Sequence, residues 1–297
     1  MPRLPLLGDP VSRTFRRILS GDEEGRPPWV RALERPGDAG WSGPGSAAWE
    51  VHGSLATLIG GVRALLLQAA HPLALAGIEQ HSAYRTDAIG RLQRTNLYVT
   101  TTTYGSSAQA AATCQAVRKV HERVQGTAPD GRPYSANDPR LLLWVHVALV
   151  ESMLRAAQAY GPRDVDADRY VAETAVTAEH MGIEEPPRSE AELAATLGGF
   201  RPELAGGGHT REVVRFLARP PLPLGAQPVY RVFRNAASAL LPEWAPELLG
   251  LRPRPSLLQA ADARAAEAVL ATLRVLLGPT SPGERAARLR LSGAVSA

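Results

Sequence analysis

The chain has 297 residues, of which 44% are hydrophobic and 21% charged, enough apolar material for one large domain or two small ones and too much for disorder along its whole length. The formal charge is +4, but the 33 basic residues (all arginine except Lys119) are interleaved with 29 acidic ones and form no run of five or more, which argues against a nucleic-acid binder. Cys114 is the one cysteine, which excludes an intramolecular disulfide, a thiolate zinc cluster and covalent c-type haem attachment.

In chain order, the first 25 residues lack the apolar core and small-residue cleavage site of a secretory signal. No apolar run reaches the ~18 residues of a transmembrane helix. The expected location is therefore the cytoplasm. Residues 11–19 carry the pattern of a short amphipathic helix packed on the body of the protein. Residues 21–47, rich in Gly, Pro and charge, read as a loop, so 1–47 is expected to be an N-terminal arm and 48–297 an all-helical domain. Helical spacing of apolar residues runs through 51–70, broken at Gly60-Gly61, and a new helix begins at His71-Pro72, since proline suits a first helical position. A helix over 89–103 must overcome the β-branched run Val99 to Thr103. Tyr104-Gly105-Ser106 stops it, and Ser106 or Ser107 caps the next helix, 108–125. Asp130-Gly131 is a turn. Asn137 or Asp138 caps a helix from Pro139 to Tyr160, and further helices cover 166–181, 189–197, 210–218, 229–240 and 256–277. No stretch alternates convincingly as a strand. The expected fold is all-α, a single large multi-helix domain with a cleft between helices and core motifs in 49–160.

Several motifs are missing. There is no Glu-x-x-His pair for a di-iron bundle, no Gly-x-Ser-x-Gly, no Walker A loop, no dinucleotide fingerprint and no His-Glu-x-x-His. Chemistry then falls to the histidines. His121 lies on a helix face with Val117, Val120 and Val124 at i, i+3, i+4 and i+7 spacing, where an imidazole facing an apolar cleft can hold a haem iron. His146, in Leu-Leu-Leu-Trp-Val-His-Val, has the same potential as ligand or proton relay. A hydrogen-bonded core histidine is the alternative for both. Arg91 and Thr95 share a helix face at i and i+4. Arg91 can grip a carboxylate in bidentate fashion and Thr95 can donate to a bound ligand; a solvated arginine face is the competing reading.

Four ordered blocks carry a resemblance: GGVRALLLQAAHPLALAGIEQHS, RLQRT, AVRKVHERVQG and DGRPYSANDPRLLLWVHVALVESML. Together they resemble the family of the rubber oxygenase (latex clearing protein) and the fungal MpaB-type oxygenases, most strongly over residues 49–160. The resemblance implies an all-helical fold around non-covalent haem b and oxidative cleavage of an apolar, isoprenoid-like double bond. It places His121 as the iron ligand. Arg91, Arg94 and Thr95 fall over the haem, with Arg94 where the rubber oxygenase has a lysine. A lysine can deprotonate and close the sixth iron position; an arginine effectively cannot. Glu79 is the nearest counterpart of a catalytic glutamate, with His81 as a second proton carrier. Arg63 and His146 complete the expected cofactor contacts. The expected function is a haem-dependent oxygenase that combines dioxygen or peroxide with an apolar small molecule. A non-catalytic haem sensor or carrier, and a haem-free helical enzyme using histidine acid–base chemistry, are the alternatives.

Overall fold

The computed structural model describes residues 8–252 and 254–293. Among them lie fifteen α-helices, two short 3-10 turns and one small hairpin. The all-α expectation holds. The ends of the two expected segments, 1–7 and 294–297, fall outside the described residues.

The centre is built by two helices, α4 (Thr57–Gln68) and α8 (Pro139–Tyr160), whose mutual packing is the most extensive in the molecule. Gly60 explains their proximity. A Cβ there would lie 2.8 Å from the Met153 sulfur and 3.0 Å from the Ser152 carbonyl oxygen, so glycine lets α4 lie directly on α8. The Gly60-Gly61 step therefore does not break the helix. The break comes earlier, at Ser54–Ala56, where α3 (Ala47–Gly53) turns by 92° into α4. Across the same interface Arg63 and Glu151 form a buried ion pair. Arg63 also donates to the Ser152 hydroxyl at 2.8 Å and, through Nε, to the Leu240 carbonyl at 2.9 Å. With 1% of its surface exposed, Arg63 joins the core; its expected place among cofactor contacts is corrected.

The remaining elements wrap this pair. α1 (Gly8–Ser20) packs on α6 (Ala88–Tyr104), as its amphipathic pattern requires, and on α14 (Ser256–Leu277). α2 (Pro28–Ala32) interrupts the arm and packs on α15 (Pro282–Leu291); neither helix is legible in the periodicity. Arg290 of α15 ties the arm down by donating to the carbonyls of Leu33, Asp38 and Tyr104 at 2.7–3.1 Å. α5 (Pro72–His81) starts at its proline. α7 (Ser107–His121) opens with a reciprocal cap between Ser106 and Gln109. It ends at His121, short of the expected Gln125, because the chain peels into β1 (Gln125–Thr127), paired antiparallel with β2 (Pro133–Ser135) around the Gly131 turn. Asp138, not Asn137, caps α8 through the amides of Arg140 and Leu141.

α9 (Ala167–Met181) and α10 (Glu190–Gly199) cover one side of α8. α11 (Gly208–Ala218) and α12 (Gln227–Ala239) close the far side of α4, and α14 packs on α12 after the short α13 (Ala245–Leu248). By length and composition α8 could cross a bilayer, but 67% of its apolar window is buried inside the bundle, the position of a core helix.

A buried charge that loses its partner is costly. Glu151→Ala should lower stability by about 3–5 kcal/mol, whereas the paired replacement Arg63→Met with Glu151→Leu should recover most of that loss; urea unfolding midpoints of the two variants check this.

Candidate functional site

One stretch of the α6–α7 hairpin is packed less tightly than its composition requires. From Ala88 to Thr100 no side chain of α6 is buried, although Ile89, Leu92, Leu97, Tyr98 and Val99 lie there. Leu92 is 38% exposed, Val120 at the end of α7 is 62% exposed, and Val145 in the middle of α8 is 40% exposed. The last turn of α6 is different: Thr101, Thr102, Thr103 and Tyr104 are all buried. Their burial overrides the poor helix propensity of the threonines, and Thr102 satisfies its hydroxyl on the Tyr98 carbonyl at 2.9 Å.

At the inner end of this open face is a cavity of about 50 Å³. Tyr98, Val99 and Thr102 line it from α6, and His146, Leu149 and Val150 from α8. α3 contributes His52, and α9 contributes Tyr170, Glu173, Thr174 and Thr177. Helical spacing links the cavity to the open face. Arg91, Thr95, Tyr98 and Thr102 are separated by four, three and four residues and so share one side of α6.

Two imidazoles define the chemistry. Nε2 of His146 and Nδ1 of His52 are buried, and neither has a hydrogen-bond partner. The other ring nitrogen of His52 lies 3.3 Å from the Tyr170 hydroxyl. Burial depresses both imidazoles to a pKa of about 4, so each is neutral at pH 7 with a lone pair available. Burial also raises the Tyr98 and Tyr170 phenols well above their ordinary value, which keeps them as O–H donors. Glu173 is the one carboxylate in the lining. Its oxygens accept from the Ala48 amide at 2.8 Å and from the Arg169 guanidinium at 2.8 Å.

His121 sits at the other edge of the hairpin. Cys114, Val117 and His121 follow one face of α7. Cys114 is buried with Leu142, Ala178 and Met181, and Val117 and Tyr98 pack against that group. The His121 ring is half-buried and its Nδ1 is enclosed, with the Ala136 backbone beside the ring. Burial lowers its pKa, with the Ala136 backbone partly opposing. It is thus a neutral imidazole at the margin of the open face, and it does not line the cavity.

The other expected site residues are spread around this centre. Arg91 is half-buried and donates to the Ser82 hydroxyl at 2.8 Å. Arg94 is exposed and paired with Asp87 at 3.0 Å. The Thr95 hydroxyl bonds the Arg91 carbonyl at 3.1 Å. Glu79 and His81 point elsewhere. Glu79 pairs with His209 at 2.8 Å and Arg85 at 3.5 Å, against α11. His81 is exposed and lies 3.2 Å from the Gln125 carbonyl in the hairpin. The structure brings His146 to the cavity, sets Arg91 and Thr95 on the helix face that leads to it, and leaves Glu79 and His81 outside it. Tyr98 was open to discovery from its spacing with Thr95. His52, Tyr170 and Glu173 come from helices remote in sequence, and no local pattern marks them.

Residues 49–275 match the family model described as ER-bound oxygenase mpaB/B'/Rubber oxygenase, catalytic domain. The chain belongs to this family. The match runs from within α3 into α14 and so contains most of the cavity lining, the open face and all the histidines. No curated protein and no solved structure matches the chain. Membership in the rubber oxygenase family makes the chain related to oxygenases.

A histidine that is neutral in the fold and protonated in the unfolded chain contributes stability that is complete above its unfolded pKa, about 6.5, and is lost as pH falls through the window down to the folded value. For His52 and His146 the folded value is about 4. Replacing either by Phe should therefore flatten the fall in stability between about pH 6.5 and 4, by roughly 1–3 kcal/mol across the window. Urea midpoints of wild type and variants at matched pH values measure the difference, and an unchanged slope would contradict the burial of the neutral rings.

Proposed function

We propose that this chain is a haem b-dependent oxygenase that brings dioxygen or peroxide to an apolar, unsaturated small molecule of isoprenoid-like character. The observation that carries the reading is the juxtaposition, on a rubber oxygenase family domain, of an unfilled apolar α6–α7 face with a neutral imidazole at its margin.

The donor set suits haem. His121 offers a neutral imidazole at the end of a helix, of the kind that holds iron axially. Arg91 has no carboxylate partner among the described residues and is placed to grip a haem carboxylate. Leu92, Val117 and Val120 supply apolar surface beside it. The cavity lined by His52 and His146 does not suit haem. At about 50 Å³ it is far below the ~300–1,000 Å³ of a drug-sized ligand site. The porphyrin is therefore assigned to the open face beside His121, and the cavity is left for something smaller.

Bound haem would supply oxygen activation; the chain supplies binding, orientation and exclusion of water. His121 would hold the iron. Thr95 and Arg91, one helical turn apart, would orient groups at the haem edge. The arginine at position 94 cannot act as a deprotonated iron ligand, and here it is paired with Asp87 at the surface. Glu79 and His81, engaged at the α11 and hairpin contacts, are not assigned proton transfer.

The protein purified after expression with a haem precursor should be red with a Soret band that shifts on reduction by dithionite, and His121→Ala should lose the band while keeping its helical circular dichroism. Colourless wild-type protein under those conditions overturns the haem assignment and leaves the buried imidazoles as acid–base groups of a haem-free enzyme.

A further inference from the structure

We propose that α14 is a self-association surface, through whose outward face two copies of this chain pair antiparallel. The proposal goes beyond the oxygenase reading and does not depend on it.

α14 has one buried line and one bare face. Ala266, Leu270 and Leu273 are buried and join the main core with Phe233, Ala236 and Ala237 of α12. On the opposite side of the helix lie Leu257, Ala261, Arg264, Ala268, Ala271 and Val275, all exposed. Their separations of four, three, four, three and four residues keep them in one stripe, about 27 Å long at 1.5 Å per residue. Leu257 is 84% and Val275 82% exposed, and Leu258 beside the first is 49% exposed. A lone exposed leucine is ordinary. Large aliphatic side chains at both ends of a 3-4 stripe, with alanines between them that admit a close neighbour, make the surface on which another helix packs.

The stripe is complementary to itself. A two-fold interface uses the same patch on both copies. Laid antiparallel about the level of Ala266, Leu257 falls opposite Val275 of the second copy, and Ala261 falls opposite Ala271. Large then meets large at both ends, and small meets small between them. Arg264 falls opposite Ala268, which leaves room for its aliphatic stem. Its guanidinium comes beside Glu267 of the second copy, and symmetry repeats the pair. Both side chains are exposed. Neither has an ion-pair partner among the described residues, whereas Asp262 of the same helix is paired with Arg254 at 2.8 Å. Parallel pairing instead stacks Arg264 on its own copy. A membrane surface fits the stripe less well, because a charge stands at its middle and alanine fills three of its six positions.

One helix pair is smaller than a standard interface of ~1,600 Å², so the expected dimer is reversible and concentration-dependent. Sedimentation equilibrium of the full chain over a concentration series measures it. Leu257→Asp with Val275→Asp, both at the surface, should weaken association about tenfold or more and leave the helical circular dichroism unchanged, since each copy then loses a buried aliphatic contact. Glu267→Arg should weaken association several-fold, and adding Arg264→Glu to it should restore the dimer. Orientation is read by oxidative cross-linking. An equimolar mixture of the Ala261→Cys and Ala271→Cys proteins should yield a cross-linked heterodimer, and Ala261→Cys alone should yield none. A chain that stays monomeric at every concentration, or a dimer unaffected by Leu257→Asp with Val275→Asp, overturns the proposal. So does cross-linking of Ala261→Cys alone, which marks parallel pairing. Binding of monomeric protein to phosphatidylcholine–phosphatidylglycerol vesicles, lost in the same double variant, assigns the stripe to a lipid surface and overturns it as well.

Discussion

The contact of α4 with α8 is the constraint on which the rest of the molecule depends. Gly60 removes the side chain that would hold the two helices apart, and the Arg63–Glu151 pair fixes their register from within the core. With one side of α8 committed to α4, and another to α9 and α10, a third side remains. Val145, His146 and Leu149 lie there, and it is this side that meets α6 at the cavity. The position of the site thus follows from a packing decision made on the opposite face of the same helix.

The α6–α7 hairpin divides into two physically different halves. Near the connection at Gly105, the threonines and Tyr104 are buried, and Trp49 donates its indole N–H to the Thr103 carbonyl at 3.0 Å. Toward the open end, the same two helices expose leucine and valine to solvent. Apolar surface left open beside a cavity is one marker of ligand contact. The imidazoles add a second marker, because a fold that leaves buried ring nitrogens without partners carries a cost that a bound molecule removes. The two markers meet at Tyr98, which lines the cavity and also packs on the cluster that leads to His121.

The family places this domain among the oxygenases, and the geometry separates two tasks within it. The margin of the hairpin, with His121 and Arg91, is where the proposed cofactor is assigned. The inner cavity, lined by His52, His146 and Tyr170, is separate from it. Glu79 and His81 belong to neither: the first contacts His209 and Arg85 and the second rests on the hairpin backbone. Arg91 does reach the end of α5, donating to the Ser82 hydroxyl at 2.8 Å, but Glu79 and His81 make their own contacts with α11 and the hairpin.

Sequence alone determined the helical class and most helix starts, because these depend on short-range physics. A 3.6-residue apolar period, a proline at the first position of α5 and α8, and the Ser106 and Asp138 caps act within a few residues of where they stand. It also located Arg91, Thr95, His121 and His146 as the residues to watch, through motif blocks that are contiguous in the chain. Only the tertiary structure decided which of them share a space. Gly60 reads locally as a breaker and serves in fact as the point of closest helix approach. Arg63 reads as a cofactor contact and is taken up by Glu151. The three-residue strands of the hairpin are too short to show a period, and their pairing ends α7 early. His52, Tyr170 and Glu173 reach the cavity from α3 and α9, more than a hundred residues apart, and an encounter over that distance is set by packing of whole helices, to which no local pattern in the chain corresponds.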